Sequence, residues 1–208
     1  MAKKAAPQQE DWQFGIRWDE FPQYANNELK RRLYCAKNKT GDVERHIHRR
    51  EIIKGLWPHE EWHDWSERRI KSTTYFDFAT WMGPSSSSKS RDAATIALEY
   101  WLEAPHETSV IVCSTTMQSL RRRIWAEVVA HHGQLDQKRF GYMGELLDAS
   151  CLIRWQPGDS RHGIFGVAVE DGPVEDAVNN LIGFHPKRYF LILDEMQGVR
   201  KAIMKALP

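Results

Sequence analysis

Long apolar runs are missing from this 208-residue chain. None approaches the ~20 residues needed to cross a bilayer, so the sequence offers no membrane-spanning helix and no membrane partner is expected. Cysteine is scarce: Cys35, Cys113 and Cys151 are an odd number and cannot all pair with one another. With no secretory signal in the sequence, a reduced, intracellular and non-secreted setting is expected. An excess of one charge is also lacking. Twenty-nine Lys and Arg stand against 28 Asp and Glu, a net +1, so any basic face must be local. No internal repeat is visible. Tryptophan, by contrast, is plentiful: most of the nine fall in the first 101 residues, as core or as stacking surface. With 41% apolar and 27% charged residues, the chain is globular and long enough for one domain with a core, with room for a small subdomain.

Three segments follow. Residues 1–11 are polar, Ala/Lys/Gln-rich and expected to fray. Residues 12–71 are slightly basic and mixed helical, with helices expected at Asn26–Lys37 and Arg45–Lys54. Residues 72–208 alternate strands (Thr73–Met82, Ser109–Cys113, Cys151–Gln156, Ile164–Val169, Tyr189–Leu193) with helices (Ser90–Ala104, Met117–His131, Val199–Leu207). That alternation predicts an α/β core with a largely parallel sheet flanked by helices.

The loop Gly83-Pro84-Ser85-Ser86-Ser87-Ser88-Lys89-Ser90 falls between an expected strand rich in aromatic and β-favouring residues and an expected helix. Strand, small-residue loop, Lys-Ser and helix form the context of a phosphate-binding loop. Backbone N–H groups and the helix N-terminus cradle phosphates, Lys89 reaches the terminal ones, and the Ser90 hydroxyl ligates Mg²⁺. Ser88 stands where the pattern takes glycine, which enters unusual backbone conformations without steric cost. A serine-rich linker is the plainer reading.

About a hundred residues on, Tyr189-Phe190-Leu191-Ile192-Leu193-Asp194-Glu195 reads as a buried central strand delivering two carboxylates at its C-terminal edge, where open α/β sheets place their sites. In a nucleotide hydrolase Asp194 would hold Mg²⁺ and Glu195 would polarise the attacking water. A strand running into an acidic loop is the bland alternative. A third stretch, Val110 to Gln118, is a β-branched strand running into Ser114, Thr115 and Thr116. These hydroxyls either cap the next helix or contact nucleic acid, and Arg121-Arg122-Arg123 beyond them either meet phosphates or form a solvated face. His59-Glu60-Glu61-Trp62-His63 matches the helical His-Glu-x-x-His zinc pattern, with His46 and His48 near enough to supply a third ligand. A histidine-rich polar face is the plainer reading.

Together, Gly83–Ser90, Ser114-Thr115-Thr116, Asp194-Glu195 and Met196-Gln197-Gly198 resemble the ATPase domain of a large terminase subunit, the motor that pumps DNA into tailed-phage procapsids. The likeness covers about residues 50–208 and implies a P-loop NTPase core of the type with a catalytic glutamate. It also implies ATP and Mg²⁺ as cofactors and a homo-oligomeric ring (a monomer in isolation) on the portal protein in the host cytoplasm. Double-stranded DNA and the small terminase subunit are the further partners implied. Leu56-Trp57-Pro58 and His63-Asp64-Trp65-Ser66 resemble the family's adenine-proximal segment, with Trp65 the base contact and Ser66 in place of the usual glutamine. The loop lacks the arginine that several terminases carry, which makes Arg161 the candidate for a finger on a neighbouring subunit; an exposed loop arginine is the plainer reading. The chain stops at Pro208, before the strand that carries the family's coupling motif, and the nuclease acids are absent. The resemblance therefore implies a piece of a longer protein, without nuclease activity of its own. The alternatives are a helicase-like P-loop ATPase with another track, and a non-catalytic DNA- or procapsid-binding module with a degenerate loop.

Overall fold

The computed structural model describes residues 42–84, 87–168 and 186–195. The helices expected at Asn26–Lys37 and Val199–Leu207, the loop residues Ser85 and Ser86, and Met196-Gln197-Gly198 lie outside the described residues. In chain order come α1 (Asp42–Leu56), α2 (Asp64–Tyr75), α3 (Lys89–Glu103), β1 (Thr108–Ser114), α4 (Met117–Arg122), α5 (Ile124–Gly133) and α6 (Gln137–Phe140). They are followed by β2 (Glu145–Leu147), β3 (Leu152–Arg154), β4 (Gly163–Ala168) and β5 (Arg188–Leu193). No helix among the described residues is long and apolar enough to cross a membrane.

The fold is α/β: a five-stranded sheet in the order β2-β3-β4-β1-β5, flanked by helices. The middle strand of its parallel part is β1, buried at all seven positions, as a strand covered on both faces must be. β4 and β5 pair with it in parallel, in the registers Ser109↔Gly163 and Ser109↔Tyr189. The sheet is mixed rather than largely parallel, because β2 pairs with β3 and β3 with β4 in antiparallel fashion. The cause is connection length. A parallel pairing needs a crossover of a dozen or more residues. Between β2 and β3 there is only a 3₁₀ turn, Asp148–Ser150, and Cys151 in the left-handed region (φ 47°).

α3 supplies the largest helical share of the core, burying Ile96, Ala97, Leu98, Trp101 and Leu102 with Trp125 and Val128 of α5. Ile52, Ile53, Leu56, Trp57 and Ile70 belong to the same cluster. The expected boundary at residues 71/72 therefore falls within α2 and cuts no seam in the packing. Burial pushes the Cys113 thiol up to about 12 and raises that of Cys151, leaving both as inert packing groups.

Two expected elements change type. The strand expected over Thr73–Met82 is a helix up to Tyr75 and then an extended segment that pairs with no strand among the described residues. Thr73 and Thr74 have the β-branched shape of strand residues, yet their hydroxyls donate back to the α2 carbonyls of Arg69 and Ile70 and accept from the Arg49 guanidinium. Those tertiary bonds outweigh β-propensity, which is about fit to a pleated surface. The second change is in the helix expected over Met117–His131. It breaks at Arg123, whose backbone leaves the helical region at φ −117°, ψ −98°.

Candidate phosphate- and metal-binding site

The three parallel strands end at one edge of the sheet, in Ser114, Ala168 and Leu193. The N-terminus of α3 is brought to that same edge. At its other end, Glu103 pairs with Arg188 at the start of β5, and Glu107 pairs with Lys187 at 2.8 Å. A 15-residue helix is roughly 22 Å long, about the length of the seven-residue β1. Lys89 and Ser90 therefore lie at the carboxyl edge with Asp194 and Glu195.

Lys89 is folded onto its own loop. Its ammonium donates to the Gly83 carbonyl at 2.8 Å, the Pro84 carbonyl at 2.7 Å and Ser87 Oγ at 3.0 Å. A side chain at Gly83 would crowd this arrangement, since its Cβ would stand 3.1 Å from Ser87 Oγ. Ser88 takes φ 59°, ψ 19°, the left-handed conformation for which glycine is the usual residue. Ser88→Gly is accordingly expected to stabilise the protein by ~0.5–1 kcal/mol, the left-handed penalty less the added freedom of the unfolded chain. That corresponds to a rise of about 1–4 °C in melting temperature. A lower melting temperature would mean that the loop does not bear this strain.

Asp194 continues β5 beyond its last paired residue, its N–H donating to the Cys113 carbonyl at 2.8 Å. One step further along that register it stands beside Ser114. Asp194 Oδ2 and Ser114 Oγ are both buried, and neither has a hydrogen-bond partner among the described residues. An unsatisfied buried carboxylate oxygen is costly, and such atoms collect where a ligand or ion completes the set. Burial pushes the Asp194 carboxyl above its ordinary value, against the pull of the Arg123 guanidinium and the Lys89 ammonium. Both cations thus stand close enough to Asp194 to act on its charge. Hard oxygen donors from Asp194 and Ser90 are what Mg²⁺ takes, with phosphate oxygens and water for the rest. Glu195 also sits in the left-handed region, at φ 58°, with its carboxylate in an ion pair with Arg123.

The other expected site residues are scattered. Ser114 is buried, so its hydroxyl is closed to any strand of DNA. Thr116 Oγ1 accepts from the Ser119 N–H at 3.0 Å and caps α4, the plainer of the two readings. Thr115 is half-buried beside it. Trp65 is 60% exposed with the Arg68 guanidinium 5.0 Å over its ring. Ser66 is buried and donates to Asp92 Oδ1 at 3.1 Å. Asp92 also pairs with Arg69 and Arg91. Ser66 therefore ties α2 to the first turn of α3 and does not face a base.

Arg161 lies at the opposite edge of the sheet, its carbonyl accepting from Ser109 at the start of β1 and its N–H bonded to Asp159 Oδ1. Strand length separates it from Asp194 by roughly 20 Å within one chain. Arg123 instead meets the acidic pair. In the sequence Arg123 is one of three arginines that either meet phosphates or form a solvated face, and only the helix break distinguishes it from the other two. His59 and Glu60 lie in a turn and His63 just precedes α2, so the helix that would align a zinc pair is not formed. Among the described residues no group of three or more His, Cys, Asp or Glu is placed to hold a metal.

Compared with known proteins, the chain matches no family model, no curated protein and no solved structure.

Proposed function

We propose that this chain is a Mg²⁺-dependent ATP-binding and ATP-hydrolysing P-loop domain, and specifically the motor domain of a phage large terminase acting on double-stranded DNA. The observation that carries the nucleotide reading is the buried Asp194 oxygen, without a hydrogen-bond partner among the described residues, at the sheet edge that also holds Lys89. The terminase reading rests on the motif resemblance, and with it come the portal, the small subunit, the ring and the host cytoplasm.

In this reading the α3 N-terminus and the loop N–H groups bind the β- and γ-phosphates, because the helix dipole and unsatisfied N–H groups favour an anion there. Lys89 leaves the Gly83 and Pro84 carbonyls for phosphate oxygens. Ser90 and Asp194 hold Mg²⁺, which supplies charge neutralisation to the phosphates when bound. Glu195 orients the attacking water and accepts its proton. Trp65 offers a stacking face to the base.

A second reading, a DNA- or procapsid-binding module without turnover, is favoured by one observation: the Glu195 carboxylate is committed to Arg123. Calorimetric titration with Mg-ATP separates the two. Saturable binding is expected below about 1 mM, with none when Mg²⁺ is chelated. Glu195→Gln is expected to keep that binding while turnover falls by ~10²–10⁴. No heat of binding at millimolar Mg-ATP would reject the nucleotide reading; binding without turnover in the unsubstituted chain would favour the module.

A further inference from the structure

Transfer of a γ-phosphoryl group spreads charge over three oxygens, and catalysis consists largely of positioning and compensating that charge. Residues 83–90 supply one cation, Lys89. Two neighbouring arginines are engaged elsewhere. Arg91 is held by Asp92, Ser66 and Glu60, and Arg121 donates to the Ala149 carbonyl at 2.6 Å. Arg123 is different in three respects. It interrupts what its sequence predicts to be a continuous helix, and it does so in a sparsely populated backbone conformation. Its guanidinium reaches the acidic end of β5 and pairs with Glu195. Glu195 is itself held at a positive φ. Backbone outliers of this kind persist where surrounding structure over-determines them, and they cluster at sites of function. Here both members of one ion pair are outliers, and Ser88, a third, lies in the loop at the same edge. The pair is not buried: the Arg123 side chain is 51% exposed and that of Glu195 30%. An exposed pair is worth about 0–1 kcal/mol, so it is readily exchanged.

We propose that Arg123 is a catalytic residue that meets the γ-phosphate. When a nucleoside triphosphate binds, the Arg123 guanidinium exchanges the Glu195 carboxylate for γ-phosphate oxygens, and the same exchange frees Glu195 for the attacking water. Planar, bidentate recognition of phosphate is the chemistry that guanidinium suits best. In the reaction the water oxygen forms a bond to the γ-phosphorus while the bond from that phosphorus to the β–γ bridging oxygen breaks. The bridging electron pair leaves on the diphosphate, and the water proton passes to Glu195 and then to the released phosphate. A diphosphate offers Arg123 no γ-oxygen, so the ion pair with Glu195 persists in its presence.

This inference rests on the nucleotide reading above, and its test separates the two. Mg-ADP and Mg-ATPγS are titrated into the unsubstituted chain, Arg123→Ala and Arg123→Lys, with single-turnover ATP hydrolysis measured alongside. For Arg123→Ala we expect unchanged Mg-ADP affinity, Mg-ATPγS affinity lower by at least about tenfold, and hydrolysis slower by ~10³. Arg123→Lys, which keeps the charge without the planar fork, is expected to fall between the two. If the unsubstituted chain binds neither nucleotide, the parent reading fails and this one with it. If it binds both and Arg123→Ala binds Mg-ATPγS equally well, the parent reading stands and only the role of Arg123 is overturned. Loss of both nucleotides in Arg123→Ala also overturns it, since the effect would not then depend on the γ-phosphate.

Discussion

Lys89→Ala is expected to abolish tight Mg-ATP binding. The Lys89 ammonium donates to two carbonyls and a hydroxyl of its own loop, all within 3.0 Å, and its charge reaches Asp194. In the nucleotide-bound state proposed above those donors would turn to phosphate oxygens. Hydrogen bonds to charged groups contribute ~1.5–3 kcal/mol each, so losing two weakens binding by roughly 10²–10⁴. Stability is expected to change little, because the loop bonds that Lys89 makes are at the surface. Calorimetry against Mg-ATP, with a melting curve for the same sample, checks both halves. Binding within threefold of the unsubstituted chain would remove Lys89 from the site, and with it the assignment of residues 83–90 as a phosphate loop.

Glu99→Ala is expected to destabilise the fold by ~3–5 kcal/mol, which is large against a total stability of about 5–15 kcal/mol. The Glu99 side chain on α3 is 1% exposed and accepts from Arg49 of α1 in bidentate fashion, at 2.8 Å from Nη2 and 3.0 Å from Nε. Arg49 Nη1 also donates to Thr73 and Thr74 of α2 at 3.2 and 3.1 Å. One buried guanidinium thus joins three helices, and removing Glu99 leaves it without its counter-charge. Urea denaturation measures the loss. Replacing both groups, as Arg49→Met with Glu99→Leu, is expected to recover much of it, since a well-packed apolar pair needs no compensation. A loss below about 1 kcal/mol in the single variant would show that water reaches Arg49 and that the three helices are joined mainly by their apolar contacts.

The regular elements were the most legible part of the chain. β1 announces itself as an apolar run, since a strand covered on both faces has no polar side to show. The similar run Tyr189–Leu193 of β5 reads as buried, yet β5 ends the described sheet and is only partly buried. α3 announces itself through small and apolar residues at helical spacing. The order of Lys89-Ser90 and Asp194-Glu195 along the chain was legible for the same reason: each pair immediately follows a loop or strand whose composition marks it. Thr73 and Thr74 were misread because their side chains suit a strand, while the partner that holds them in a helix, Arg49, lies 24 and 25 residues away. Ser66 was read only as the residue standing in the family's glutamine position, and its bond to Asp92 was not foreseen because nothing near it in sequence points there. The strands of the antiparallel β3–β4 pair were read as part of a largely parallel sheet because alternation of element types does not specify strand direction, and the three-residue β2 was not expected at all.

Local composition and periodicity were enough to establish the α/β class, most of the element positions, and two acids and a lysine suited to phosphate chemistry. These depend on interactions a few residues apart. Which groups meet is a different matter. The pairing of Arg123 with Glu195, the closure of Ser114 to solvent, and the removal of Arg161 to the far edge depend on strand register and on a single break in a helix. Contacts across seventy residues are set by the packing of the whole, and no short window of sequence carries them.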